Sequence, residues 1–243
     1  MDVLTLGPLR VRRVVKTSGN TSKTDAPRTV VLMHGYGAPG DDLVGLGEGL
    51  AAPAGTTFLF PEAPNGLTGA PSDDEARAWW PIDIGRFQRA AMLGTLDKLV
   101  DDVPEGLHEA RASVLAMLDA YERETSTPSA NVVLGGFSQG SMLALDVALH
   151  TERAFAGLAI LSGTLLAAKD WLPRMVARKD LPVFQSHGTR DPILPFPIAE
   201  RLRHELEGAG MRVSFTSFDD GHGIPPAVMR DFGTWLSQIF AHV

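Results

Sequence analysis

Apolar residues along the chain follow two spacings. Short apolar runs bounded by glycine and proline, at 29–33, 56–60, 131–134, 155–161, 182–185 and 213–218, read as strands. Between them Leu107, Ala110, Val114, Leu118 and Tyr121 recur at steps of three and four, as do Ile198, Leu202 and Leu206, and Val228, Phe232, Trp235 and Ile239. Each set is the stripe of an amphipathic helix laid on a core. Residues 1–15 alternate apolar and polar about Gly7-Pro8, which predicts an antiparallel hairpin at a sheet edge. Strands alternating with helices predict an α/β fold with a mostly parallel central sheet and helices on both faces. Such a sheet gathers its functional groups beyond the carboxyl ends of its strands.

Two stretches interrupt the alternation: a loop from 16 to 28, and residues 61–104, which are rich in proline, glycine and acidic side chains. The second reads as a long loop region that contributes to a substrate pocket. With no repeat or linker elsewhere, 243 residues predict one domain over 1–243.

A net charge of −7 with scattered basic residues argues against nucleic acid and anionic membrane as partners. The absence of cysteine excludes disulfides, thiolate metal sites and a cysteine nucleophile. No apolar run reaches the roughly 18 residues needed to span a bilayer, so no membrane insertion is expected. The start lacks a secretory pattern, which makes the cytoplasm the expected location. A homodimer is compatible with the sequence, which does not decide the oligomeric state.

The candidate chemistry begins at NVVLGGFSQG, residues 131–140, an apolar run entering G-x-S-x-G ahead of a helical stretch. A strand-turn-helix of this kind exposes Ser138 at the top of the sheet, and side chains at Gly136 or Gly140 would strike neighbouring backbone. The Gln139 N–H then lies at a helix N-terminus, where it favours an oxyanion. A serine hydroxyl needs a base, and the base needs a carboxylate. In the chain order of this fold class the acid comes next and the histidine last. Asp191 follows the 182–185 strand in SHGTRDPILP, where an Asx turn before proline is its plainer role. His222 lies between glycines in DDGHGIPP after the 213–218 strand, without the apolar neighbours of a core histidine. His108, His204 and His242 fall on helices and His150 ends one, so these four are expected at the surface. His34 and His187, each before a glycine at a strand end, are expected to shape pocket walls. No H-E-x-x-H or carboxylate cluster accompanies them, so no metal site is expected.

The stretch MHGYGAPGDD, residues 33–42, contains two motifs. Gly35, Gly37 and Gly40 spell the G-x-G-x-x-G of a dinucleotide-binding turn. However, Asp41 and Asp42 already satisfy the following helix dipole and would repel a pyrophosphate, and Glu62 comes late for a ribose-binding acid. As an HG loop the stretch gives one backbone N–H to an oxyanion hole, and Tyr36 N–H is the chosen donor. On that reading the third glycine is a coincidence.

Four stretches together resemble the phospholipase/carboxylesterase family, the small esterases related to acyl-protein thioesterases: VVLMHGYGAPGDDL, RAWWPID, GGFSQGSMLAL, and SHGTRDPILP with GHGIPP. The resemblance runs from about residue 29 to the C-terminus. It implies an α/β-hydrolase without a large cap and without metal or organic cofactor. By position it implies Ser138 as nucleophile, Asp191 as acid and His222 as base, with Tyr36 and Gln139 forming the oxyanion hole. It also implies an acyl pocket built partly from residues 63–80. Tyr36 stands where the family often has leucine and Ser141 where it often has glycine, and both bear on substrate preference. Trp79 and Trp80 are candidates to line the acyl site and Trp171 its opposite wall, with core packing as the alternative for each.

The expected function is a serine carboxylesterase acting on a small-molecule ester of short to medium chain, with lysophospholipase or acyl-thioesterase as alternatives. A catalytically silent binding protein on the same scaffold and a nicotinamide oxidoreductase are the readings from other classes.

Overall fold

The computed structural model describes residues 1–16, 27–67, 76–95 and 98–241. Most of the expected 16–28 loop, positions 68–75 and 96–97 of the expected long loop, and His242 lie outside these residues. In chain order the strands are β1 (Asp2–Leu6), β2 (Leu9–Val15), β3 (Thr29–Met33), β4 (Thr57–Pro61), β5 (Asn65–Gly66), β6 (Arg77–Ala78), β7 (Val132–Phe137), β8 (Gly157–Leu161), β9 (Pro182–Gly188) and β10 (Arg212–Phe218). The helices are α1 (Val44–Gly49), α2 (Ile84–Met92), α3 (Leu107–Thr125), α4 (Gln139–Leu149), α5 (Ala168–Met175), α6 (Phe196–Gly208) and α7 (Pro226–Phe240).

Eight strands make one sheet in the order β1-β2-β4-β3-β7-β8-β9-β10. The first two form the edge hairpin, β2 joins β4 antiparallel, and every pairing from β4 through β10 is parallel. This is the α/β-hydrolase architecture, mostly parallel and helix-covered, with no large cap among the described residues. The interior strands β3 and β8 are buried at every position, as a sheet covered on both faces requires. On one face α3, α4, α5 and α6 contribute Val114, Leu118, Leu145, Trp171 and Leu202 to the core. On the other, α7 lays Val228, Phe232, Trp235, Leu236 and Phe240 against Phe58, Phe60 and Phe184. The stripes read from the sequence are these two core faces.

Register brings the strand ends together. Met33 pairs with Gly136, Phe137 with Leu161, Leu161 with Ser186, and Gly188 with Phe218. The loops after β3, β7, β8, β9 and β10 therefore leave the sheet side by side at its carboxyl edge.

The region from 61 to 104 is not one long loop. It contains the two-residue ladder β5-β6 and the nine-residue α2. Gly85 and the charged Arg86 and Arg89 dilute the apolar periodicity of α2. Two-residue strands are too short to show a period of two.

Candidate active site

Ser138 is the N-cap of α4, with φ 51° and ψ −119°, a left-handed backbone that a non-glycine residue seldom adopts. The turn is enforced on every side. The Ser138 N–H donates to the Leu161 carbonyl at 2.8 Å, and the Ser138 carbonyl accepts from Ser141 N–H at 3.0 Å and Ser141 Oγ–H at 2.7 Å. A Cβ at Gly140 would lie 2.1 Å from the Met33 oxygen and one at Gly136 2.5 Å from it. Both glycines thus meet backbone, as the G-x-S-x-G reading requires. All eleven residues of α4 are buried, so the turn rests on a helix locked into the core.

The two oxygens of Asp191 do different work. Oδ1 accepts from Ile193 N–H at 2.8 Å and Leu194 N–H at 2.9 Å, the Asx turn expected before a proline-rich loop. Oδ2 lies 2.6 Å from His222 Nδ1, so the plain role and the chemical one coexist in one carboxylate. Burial acts to raise the Asp191 carboxyl, but hydrogen bonds from His187, His222 and Leu194 outweigh it and hold the group well below the usual carboxylate range.

His222 leans on the residue before Ser138, with the His222 and Phe137 ring centroids 4.8 Å apart. Ser162, at the tip of β8, donates from Oγ to the Gly223 carbonyl at 3.0 Å and so holds the His222 loop against the sheet. Among the described residues neither Ser138 Oγ nor His222 Nε2 makes a hydrogen bond, so the link between them is open.

The HG loop lies over the turn. A Cβ at Gly35 would come within 3.4 Å of Ser138 Cβ, which puts the backbone ahead of Tyr36 beside the serine. Among the described residues Tyr36 N–H and Gln139 N–H have no acceptor. Below them, the buried His34 accepts from Ala63 N–H at Nε2, 3.1 Å, and its Nδ1 lies 2.8 Å from the Gly35 carbonyl. This fixes the proton on Nδ1, and burial pulls the ring below the ordinary histidine value while the Gly35 bond opposes the shift.

The third glycine of the loop is not a coincidence. A Cβ at Gly40 would lie 2.5 Å from both Arg12 Nη1 and Glu62 Cγ, so any side chain there would have to displace that ion pair. Glu62 itself is buried and occupied by Arg12 at 2.8 Å and Arg77 at 3.0 Å, which removes the acid that a dinucleotide ribose would need.

The three tryptophans proposed for the acyl site lie in the core, 1% exposed for Trp79, 2% for Trp80 and 0% for Trp171. Trp79 and Trp80 back the site, because their peptide groups bond to the Gln139 amide, and Trp79 Nε1–H donates to the His34 carbonyl at 3.0 Å. Trp171 instead donates to Asp146 Oδ1 at 2.9 Å, eight residues along α4 from Ser138. His108 and His204 are exposed, as expected. His150 is not free at the surface, since its ring bridges Asp146 and Asp170. One ligand atom from each of Asp146, His150 and Asp170 falls within 4.8 Å of the others. Arg111, Trp171 and Arg174 already donate to the two carboxylates, so the group reads as an ion network.

Sequence reasoning missed Ser162, Asp146 and the Asp191 contact of His187. Nothing in the chain marks a serine after a strand or an aspartate within a helix. The SHG that ends β9 is the one available signal for His187.

A model of the phospholipase/carboxylesterase family matches residues 20–240. Acyl-protein thioesterase 1 of Cryptococcus neoformans is 29% identical over 227 residues, covering 86% of this chain and 91% of that relative. Acyl-protein thioesterase 1 of Kluyveromyces lactis is 32% identical over 180 residues, covering 72% and 74%. The crystal structure of esterase PE8 superposes with a TM-score of 0.76 at 25% identity, covering 95% of this chain and 99% of that one.

Proposed function

The chain belongs to the phospholipase/carboxylesterase family, and on that premise we propose that it is a serine hydrolase moving an acyl group from a small ester or thioester to water. Ser138 Oγ attacks the carbonyl, and His222 Nε2 takes its proton. Asp191 holds the opposite ring nitrogen and stabilises the imidazolium. The backbone N–H groups of Tyr36 and Gln139 receive the oxyanion, each worth roughly 10²- to 10³-fold in rate. His222 returns the proton to the leaving alcohol or thiol, and a water activated by the same ring releases the acid.

The observation that carries this reading is the 2.6 Å Asp191–His222 bond set against the strained turn at Ser138. The open step from His222 to Ser138 agrees with it, because catalytic hydrogen bonds often tighten only when substrate is bound. Trp79 and Trp80 serve as the backing of the acyl site through Gln139.

Carboxylic esters of short to medium chain are the substrates proposed. The thioester reading stands second, favoured by the relatives named acyl-protein thioesterase. Hydrolysis of p-nitrophenyl esters of rising chain length, beside the matching acyl thioesters, separates the two. Labelling by a fluorophosphonate that is lost in Ser138→Ala tests the nucleophile. A protein that hydrolyses neither series and takes no label is the silent binding scaffold instead.

A further inference from the structure

We propose that His187 is a positioning residue for the acid of this site, an inference that rests on the triad reading above. The Asp191 carboxylate is shared between two imidazoles, His222 from the loop after β10 and His187 from β9 itself.

The geometry is closed around one residue. His187 is fully buried, and its Nε2 lies 2.7 Å from the Leu194 carbonyl and 3.3 Å from Asp191 Oδ2. Leu194 N–H donates to the other carboxylate oxygen, Oδ1, at 2.9 Å. A carbonyl only accepts, so the His187 proton is on Nε2. That single N–H ties the Leu194 carbonyl and the carboxylate together and sets the plane in which Oδ2 faces His222.

The other ring nitrogen makes the case from the opposite side. His187 Nδ1 is buried and has no partner among the described residues. A buried polar atom without a partner destabilises the fold, and a phenyl ring would fill the same space without that cost. The ring that stands there is explained by what Nε2 does.

Two consequences follow. A second donor on Oδ2 withdraws charge from the oxygen that His222 uses, so removing it strengthens the hold of Asp191 on a protonated His222. The carboxylate also becomes freer to turn. The remaining charged groups on the two loops do not face His187: Arg190 and Asp219 are exposed and paired with each other, and the exposed Asp220 accepts from the Gly221 N–H. The Phe196 ring, 6.2 Å away, carries no charge.

The test compares wild type with His187→Phe, His187→Asn and His187→Gln, using p-nitrophenyl butyrate for kinetics and a fluorophosphonate for labelling Ser138. The Gln amide reaches about where the imidazole Nε2 lies, and the Asn amide falls short of it. In the Phe and Asn variants kcat falls by about 10- to 100-fold with KM unchanged, and the acid limb of the kcat/KM profile moves up by about half a pH unit or more. The Gln variant restores both. Should the Phe variant fail to fold, Asn against Gln carries the same comparison. Identical pH profiles and kcat in the Asn and Gln variants overturn the proposal while the triad stands. A wild-type protein that takes no label at Ser138 brings down the triad reading, and this proposal with it.

Discussion

The Gln139 side chain accepts a hydrogen bond from the Trp79 N–H at 2.9 Å and, from its other end, donates to the Trp80 carbonyl at 2.8 Å. The residue whose backbone N–H is proposed for the oxyanion hole therefore also clamps the segment behind it. Both bonds are buried. Gln139→Ala keeps the N–H and strands two buried peptide groups, so unfolding free energy falls by about 2–4 kcal/mol, read from urea denaturation. Equal midpoints for the two proteins would mean that the clamp contributes nothing.

Tyr36 is assigned a backbone role, and its hydroxyl has no hydrogen bond among the described residues. Tyr36→Phe leaves the peptide in place and keeps most of the activity towards p-nitrophenyl esters. A loss on the order of 10²-fold, the scale of an oxyanion donor, in a variant that unfolds normally would move the role to the hydroxyl.

Asp191 is expected to matter twice. Asp191→Asn removes the charge that orients and stabilises His222, and kcat falls by about 10⁴-fold. The stability effect has a definite sign. Hydrogen bonds from His187, His222 and Leu194 hold the folded carboxyl well below its unfolded value, although burial opposes them. The stabilisation is then fully present above the unfolded value of about 3.9 and is lost as pH falls through the folded one. The stability gap between wild type and Asp191→Asn, followed by urea unfolding, should narrow below about pH 4. A gap that stays constant on acidification would remove the carboxylate from the explanation.

Much of this arrangement is legible in the chain because two periods are strong. The 29–33 run becomes β3 without a change of boundary, and the stripe from Leu107 to Tyr121 lies within α3. G-x-S-x-G is legible for a steric reason, since Met33 leaves no room for a Cβ at Gly136 or Gly140. Long-range pairing does not show in sequence. Gly40 looks accidental until Arg12 and Glu62, distant along the chain, pack beneath it. His187 looks like a pocket wall until Leu194 folds its carbonyl back over the ring. Trp171 is ten residues past the apolar 155–161 run, and only the crossing of α4 and α5 joins it to Asp146.

That last pair carries a stability prediction separable from chemistry. Asp146 is 0% exposed in the middle of α4. Burial pushes its carboxyl up, against the Trp171 N–H, the Arg111 guanidinium 3.1 Å away and His150. Asp146→Ala leaves Trp171 Nε1–H without its acceptor and the half-buried Arg111 without its counter-charge, at a cost of about 3–5 kcal/mol. Asp146→Asn, whose oxygen can still accept from Trp171, should lose less. Eight residues of α-helix separate this position from Ser138, about 12 Å along the axis. The fraction that remains folded should therefore label with a fluorophosphonate at the wild-type rate. Urea unfolding measures the first effect and labelling kinetics the second. Slow labelling in a fully folded Asp146→Asn would mean that the network reaches the nucleophile through α4, contrary to its reading as structural.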